Sequence, residues 1–250
     1  MQSIRRFVQF TYSIYAVLLF VILMLVVFPF ILIFSWVGKK RGGNLVYAAC
    51  RSWAFLWYTF IFIRHKKIYA SPHDEHKRYI FVANHTSYID IPQLLRATRQ
   101  PVRVLGRHDL AKVPVFGTIY KAAAILVDRS SRENRAKSLT SMKNVLDEGI
   151  SIFIFPEGTF NESEEPLKHF YDGAFKLAID TGVSIKPIIF PDTTRRLNHK
   201  SIFSFTPGIC RSVYLEEIKP NTDSASGMAE LKQTVFERMQ TALLYYRKSS

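Results

Sequence analysis

The chain has 250 residues, with 34 Lys and Arg against 20 Asp and Glu, a formal net charge of +14, and it is 48% hydrophobic and 14% aromatic. So much apolar and aromatic side chain excludes a disordered polypeptide, and the length allows one large domain or two small ones. The charge first suggests nucleic acid. However, residues 1–70 hold nine Lys and Arg and no Asp or Glu, and these bases bracket long apolar runs, as at an anionic membrane.

Residues 7–38 carry no charged side chain. A helix needs about 20 apolar residues to cross the hydrocarbon core, and this run is longer. It is too long for the apolar core of a signal peptide. Lys39-Lys40-Arg41-Gly42-Gly43 breaks it, and a second apolar, aromatic segment, 45–63, ends at Arg64-His65-Lys66-Lys67. These two helices read as an N-terminal hydrophobic membrane anchor over 1–70. A hairpin dipping into one leaflet, bent at Pro29, keeps all three basic groups on one, cytoplasmic side; one or two full crossings are the alternatives. Cys50 and Cys210 form neither a metal pattern nor a disulfide framework and are expected as buried free thiols.

From about residue 71 to 250 the composition is that of an α/β domain. Short apolar runs at 79–83, 102–105, 124–127, 151–155 and 184–190 read as strands, with late strands at 203–205 and 210–218. Helical stretches fall at 89–99, 113–123, 132–148, 173–181 and 228–247. This alternation predicts an α/β fold, a mixed central sheet flanked by helices.

Ligands of open α/β sheets bind beyond the carboxyl ends of strands, and three polar clusters fall there. In Asn84-His85-Thr86-Ser87-Tyr88-Ile89-Asp90, a helix starting near Ser87 lets Asp90 fold back on His85. A carboxylate on one ring nitrogen fixes the tautomer and makes the other a better base. Thr86 and Ser87 are candidate nucleophiles, although Gly-x-Ser-x-Gly is absent; alternatively, Asn84 caps a turn and His85 is an ordinary loop residue. In the second cluster Arg129, assisted by Arg107, can bind an anion, or Asp128 makes a surface ion pair. In Phe155-Pro156-Glu157-Gly158-Thr159, Gly158 permits an unusual turn, and Glu157 either orients a polyol hydroxyl or is a solvated loop carboxylate.

Together these residues resemble the glycerolipid acyltransferase family, the 1-acyl-sn-glycerol-3-phosphate acyltransferases and their relatives. Asn84, His85 and Asp90 match Asn-His-x4-Asp, and residues 155–159 match Phe-Pro-Glu-Gly-Thr. Asp128 and Arg129 match a strand followed by Asp-Arg, with Lys112, Pro114 and Gly117 upstream. The stretch 183–188 with Pro187 matches an apolar strand with a proline. The resemblance covers roughly residues 75–192. It implies a membrane-bound O-acyltransferase that moves an acyl group to the free hydroxyl of a lysolipid, with 1-acyl-sn-glycerol-3-phosphate as first expectation. It implies His85 as general base, Asp90 as its partner, Glu157 and Gly158 placing the glycerol, and Arg129 on its phosphate; Asn84, Arg107 and Thr159 are further candidate substrate-binding residues. It also implies acyl-carrier-protein or coenzyme A thioester as co-substrate, no bound cofactor and no metal. The partners implied are membrane lipid and the lysolipid acceptor, with no nucleic acid; the site is the cytoplasmic face of a membrane, the inner membrane in a bacterium. Three positions depart from the family: Phe160 stands where Arg is frequent, Tyr171 where Lys is frequent, and Ala123 where glycine is frequent. Two cations near the expected head group are thus missing. Either Arg107, Arg129, Lys168 or Arg195/Arg196 replaces them, or the acceptor lacks a phosphomonoester, as a lyso-aminolipid does. A non-catalytic membrane module and a thioesterase are the rival classes.

Overall fold

The computed structural model describes residues 2–112, 116–127 and 131–248. Helix α1 (Gln2–Ser35) runs unbroken through Pro29. Among the described residues it is the one helix long and apolar enough to cross a membrane. A turn leads into α2 (Lys39–Phe60), and the two helices pack side by side. They close tightly at Gly42, where a Cβ would lie 2.2 Å from the Phe34 carbonyl oxygen.

The remaining elements are β1 (Ile63–Tyr69), β2 (Ile80–Ala83), α3 (Asp90–Ala97), β3 (Val102–Arg107), a 3-10 turn (His108–Lys112), α4 (Phe116–Ala123), β4 (Ala124–Val127), α5 (Arg132–Asp147), β5 (Ser151–Ile154), α6 (Gly173–Thr181), β6 (Ile185–Ile189), α7 (Thr193–Arg196), β7 (Gly208–Tyr214) and α8 (Gly227–Lys248). Seven strands form one mixed sheet in the order β1-β7-β6-β2-β5-β3-β4. The five from β6 to β4 are parallel, and β7 turns antiparallel to β6. Strands β2, β5 and β6 are buried at every position. This is why β2 and β5 read as apolar runs, since helices cover both faces of a parallel sheet; β6 differs by the buried Lys186, whose Nζ donates to Ser71 Oγ and the Pro72 carbonyl. One face packs on α5, α6 and α8; the other packs on α2, α3 and the inner side of α1. Cys50 and Cys210 are both buried and free.

Two expectations change. The sequence 203–205 is not a strand. It is an irregular loop held by aromatic contacts with the first two helices: Phe203 lies 4.9 Å from Phe10 and Phe205 5.8 Å from Trp57. The basic run after Ile63 is a strand, β1, paired in parallel with β7. Its outward Arg64 and Lys66 are exposed, and such charges protect a sheet edge from further pairing.

Candidate active site

Three neighbouring parallel strands, β6, β2 and β5, end on the same side of the sheet. The loops leaving them meet there, as expected at the carboxyl edge of an α/β sheet. The loop after β2 carries residues 84–89. Asn84, fully buried, spans to the end of β6: its Nδ2 donates to the Phe190 carbonyl at 3.1 Å and its Oδ1 accepts the Phe190 N–H at 2.7 Å. This places His85 just beyond the sheet.

Helix α3 begins at Asp90, later than the sequence suggests, and the turn over 87–90 supplies the fold-back. Asp90 Oδ2 lies 2.9 Å from His85 Nδ1. The same oxygen accepts the backbone N–H of Thr86 at 2.7 Å and of Ser87 at 2.8 Å. Asp90 is fully buried and, among the described residues, its Oδ1 has no hydrogen-bond partner. A carboxylate at Nδ1 assigns the proton to that nitrogen, so Nε2 keeps its lone pair. The imidazole stacks on Phe155, with centroids 4.1 Å apart, and meets the edge of Phe160 at 4.4 Å. Tyr88 backs Phe160 at 4.8 Å.

Thr86 and Ser87, open in sequence as nucleophiles, are buried and engaged elsewhere. The Thr86 hydroxyl is 3.2 Å from that of Thr193, and Ser87 Oγ donates to the Leu197 carbonyl at 2.6 Å.

The loop after β5 turns at Gly158, whose φ of 73° lies in the left-handed region that favours glycine. Glu157 is fully buried rather than solvated. Its Oε1 accepts the His85 N–H at 2.8 Å and its Oε2 the Lys168 N–H at 2.9 Å. Burial pushes its carboxyl up to about 7, against the opposing pull of these bonds. Asn161 N–H donates to the His85 carbonyl at 2.7 Å, so both backbone groups of His85 are held by this loop. Lys168 Nζ donates to the exposed Thr159 hydroxyl at 2.9 Å.

Asn84, His85, Asp90, Glu157, Gly158 and Thr159 therefore converge. Arg107 ends β3 at the same sheet edge, but its side chain, like all of Asp128 and Arg129, lies outside the described residues. Phe160 flanks the imidazole, and Tyr171 is exposed beside His169. Sequence reading missed Phe155 as the platform for His85. The apolar run 151–155 marks only a buried strand.

The family model for Acyltransferase matches residues 62–191. The 1-acyl-sn-glycerol-3-phosphate acyltransferase of Salmonella typhimurium is 31% identical over 121 residues, 48% of this chain and 49% of that one. The human 1-acyl-sn-glycerol-3-phosphate acyltransferase beta is 29% identical over 178 residues, 68% of this chain and 61% of that one. The chain spans about half the length of the first curated relatives it matches. In fold it is similar to the crystal structure of the 1-acyl-sn-glycerophosphate acyltransferase of Thermotoga maritima: TM-score 0.75, 20% identity, 99% of this chain and 98% of that one.

Proposed function

From the premise that the chain belongs to the acyltransferase family, we propose that it moves a fatty acyl group from a thioester to the free hydroxyl of a lysolipid. The observation that carries this reading is the pair His85 Nδ1–Asp90 Oδ2 at 2.9 Å, which leaves Nε2 as the base. His85 Nε2 takes the acceptor hydroxyl proton as that oxygen bonds to the acyl carbon. The carbon–sulfur bond then breaks, and the imidazolium returns the proton to the departing thiolate. The products are an ester and a free thiol. Asp90 stabilises the imidazolium, and two residues position it: Glu157 holds the His85 N–H, and Asn84 ties the preceding position to the Phe190 backbone.

The acceptor is 1-acyl-sn-glycerol-3-phosphate, the substrate in the names of the relatives, and the donor is an acyl-carrier-protein or coenzyme A thioester. A second reading, a lyso-aminolipid acceptor, is favoured by one observation: Phe160 presents an aromatic edge to His85 where a cation is frequent in the family. Residues 1–70 attach the enzyme to the cytoplasmic face of a membrane. Supporting this, α1 exposes Leu18, Ile22, Leu25, Val26 and Ile33, an apolar surface suited to lipid.

The test is purified full-length protein with labelled acyl thioesters of both kinds and a panel of lysolipids. Acyl lipid product is expected from wild type and none from His85→Ala, with membrane binding and the thermal melt unchanged. More than a few per cent of activity in His85→Ala would sink the general-base role. Thioester loss without lipid product would make the protein a hydrolase.

A further inference from the structure

Helix α8 brings a residue to the site that no motif marks. The chain leaves β7 near the start of β6, where Ile218 pairs with Ile185. Helix α8 then returns toward the carboxyl edge of the sheet. Its last turn is tied there by two arginines: Arg211 Nη2 donates to the Tyr246 carbonyl at 2.9 Å, and Arg195 Nη2 to the Arg247 carbonyl at 3.2 Å. Arg211 is itself fixed by two bonds to Asp192, at 2.6 and 2.8 Å, in the loop after β6.

The side chain of Arg247 is half-buried. Burial draws its guanidinium below the ordinary arginine range; the Glu157 carboxylate opposes this and Arg195 adds to it. Arg247 is thus within electrostatic reach of the buried carboxylate that holds His85. Among the described residues, no acidic side chain lies within ion-pair distance of Arg247 or Arg195. Arg196 is different: its guanidinium donates to the Pro207 carbonyl. On the other side of Glu157, Lys168 reaches Thr159. Lys168 and Arg247 both act on the Glu157 carboxylate, and Arg195 is joined to Arg247 through its carbonyl. The hydroxyls of Thr86 and Thr193, 3.2 Å apart, seat α7, which carries Arg195, beside the His85 loop. A half-buried cation with no carboxylate at ion-pair distance costs stability and suits an anionic ligand.

We propose that Arg247, with Arg195 and Lys168, forms the subsite that receives the phosphomonoester of the lysolipid acceptor. These bases supply the charge that Phe160 and Tyr171 do not. The inference rests on the acyl-transfer reading. Arg247 is assigned to acceptor binding, not to proton transfer. Charge-assisted bonds of this kind give at least about tenfold in affinity each.

The experiment is steady-state kinetics of full-length wild type, Arg247→Ala and Arg247→Lys, varying lysophosphatidic acid at fixed thioester and then the reverse. Arg247→Ala is expected to raise the KM for lysophosphatidic acid at least tenfold. The KM for thioester and kcat should stay within about twofold, and Arg247→Lys should recover most of the loss. A merely structural arginine would lower kcat or the melting temperature and move both KM values together; that result overturns the subsite, as does an unchanged acceptor KM. Wild-type activity confined to acceptors without a phosphomonoester overturns the subsite while acyl transfer stands. Wild-type inactivity on every lysolipid overturns the acyl-transfer reading itself.

Discussion

Glu157 holds His85 by its main chain: a fully buried carboxylate accepts the histidine N–H at 2.8 Å and reaches the Lys168 N–H with its other oxygen. Two loops that are 72 residues apart in sequence are thereby joined at one side chain. The folded carboxyl sits near 7, whereas in the unfolded chain it titrates in the ordinary range for glutamate. Between those values folding takes up a proton, so the contribution of Glu157 is complete at low pH and is lost as pH rises toward 7. Glu157→Gln removes this titration, at a cost that does not vary with pH. The difference in urea midpoint between wild type and variant should therefore shrink from pH 5 to pH 7.5 and then level off. A constant difference would contradict the raised carboxyl.

Asp90 separates charge from geometry. Its Oδ2 receives three donors while Oδ1 receives none, so an asparagine amide can keep the accepting oxygen in place. Asp90→Asn should retain the wild-type melt and lower kcat about 10²-fold or more, because the carboxylate no longer favours the imidazolium. Asp90→Ala should lose stability as well, since two buried N–H groups are orphaned. Equal activity of Asp90→Asn and wild type would refute an electrostatic role.

Asn84 is a strut between β2 and β6. Both its amide groups bond the Phe190 backbone inside the core, and each buried group left unpaired costs about 1–3 kcal/mol. Asn84→Ala is expected to be destabilised on that scale in chemical unfolding. Asn84→Asp should be no better, because its second oxygen would face the Phe190 carbonyl. Wild-type stability in either variant would disprove the strut.

The parallel strands were legible because burial on both faces writes them as apolar runs such as 79–83 and 151–155. His85 and Asp90 were legible through their spacing, although the helix begins at Asp90 itself. Strand β1 was not, since its outward bases hide the pairing with β7, and the aromatic loop 203–205 imitated a strand because its rings pack on helices. Arg247 was invisible for a deeper reason: only the return of α8 across the sheet brings it near Glu157, a juxtaposition with no local sequence signature.

Phe160 offers a test of head-group choice at the imidazole. Its ring lies T-shaped to the imidazole of His85, with centroids 4.4 Å apart, and supplies no donor to a phosphate. Phe160→Arg adds a charge-assisted donor beside the His85 imidazole. It should raise kcat/KM for lysophosphatidic acid relative to an uncharged lysolipid by about tenfold, read from paired acceptor assays. No change in the ratio would place the head group away from this residue.

Trp57 shows why α1 is more than a tether. Its indole is buried, donates to the Ala16 carbonyl of α1 at 2.9 Å, stacks on Trp53 and meets Phe205 edge-on. On the same helix, Tyr58 donates to Gln93 of α3 at 3.1 Å, just past the Asp90 turn. Ser13 of α1 accepts the Phe205 N–H at 3.1 Å. A long apolar helix is thus packed against the layer that supports the His85–Asp90 turn. Trp57→Ala empties a large buried volume and removes the indole donor to the Ala16 carbonyl, a loss of about 3–5 kcal/mol. In detergent, it should lower the unfolding midpoint and speed protease cleavage at the 36–38 turn. A simple tether would tolerate the change, with wild-type stability and cleavage.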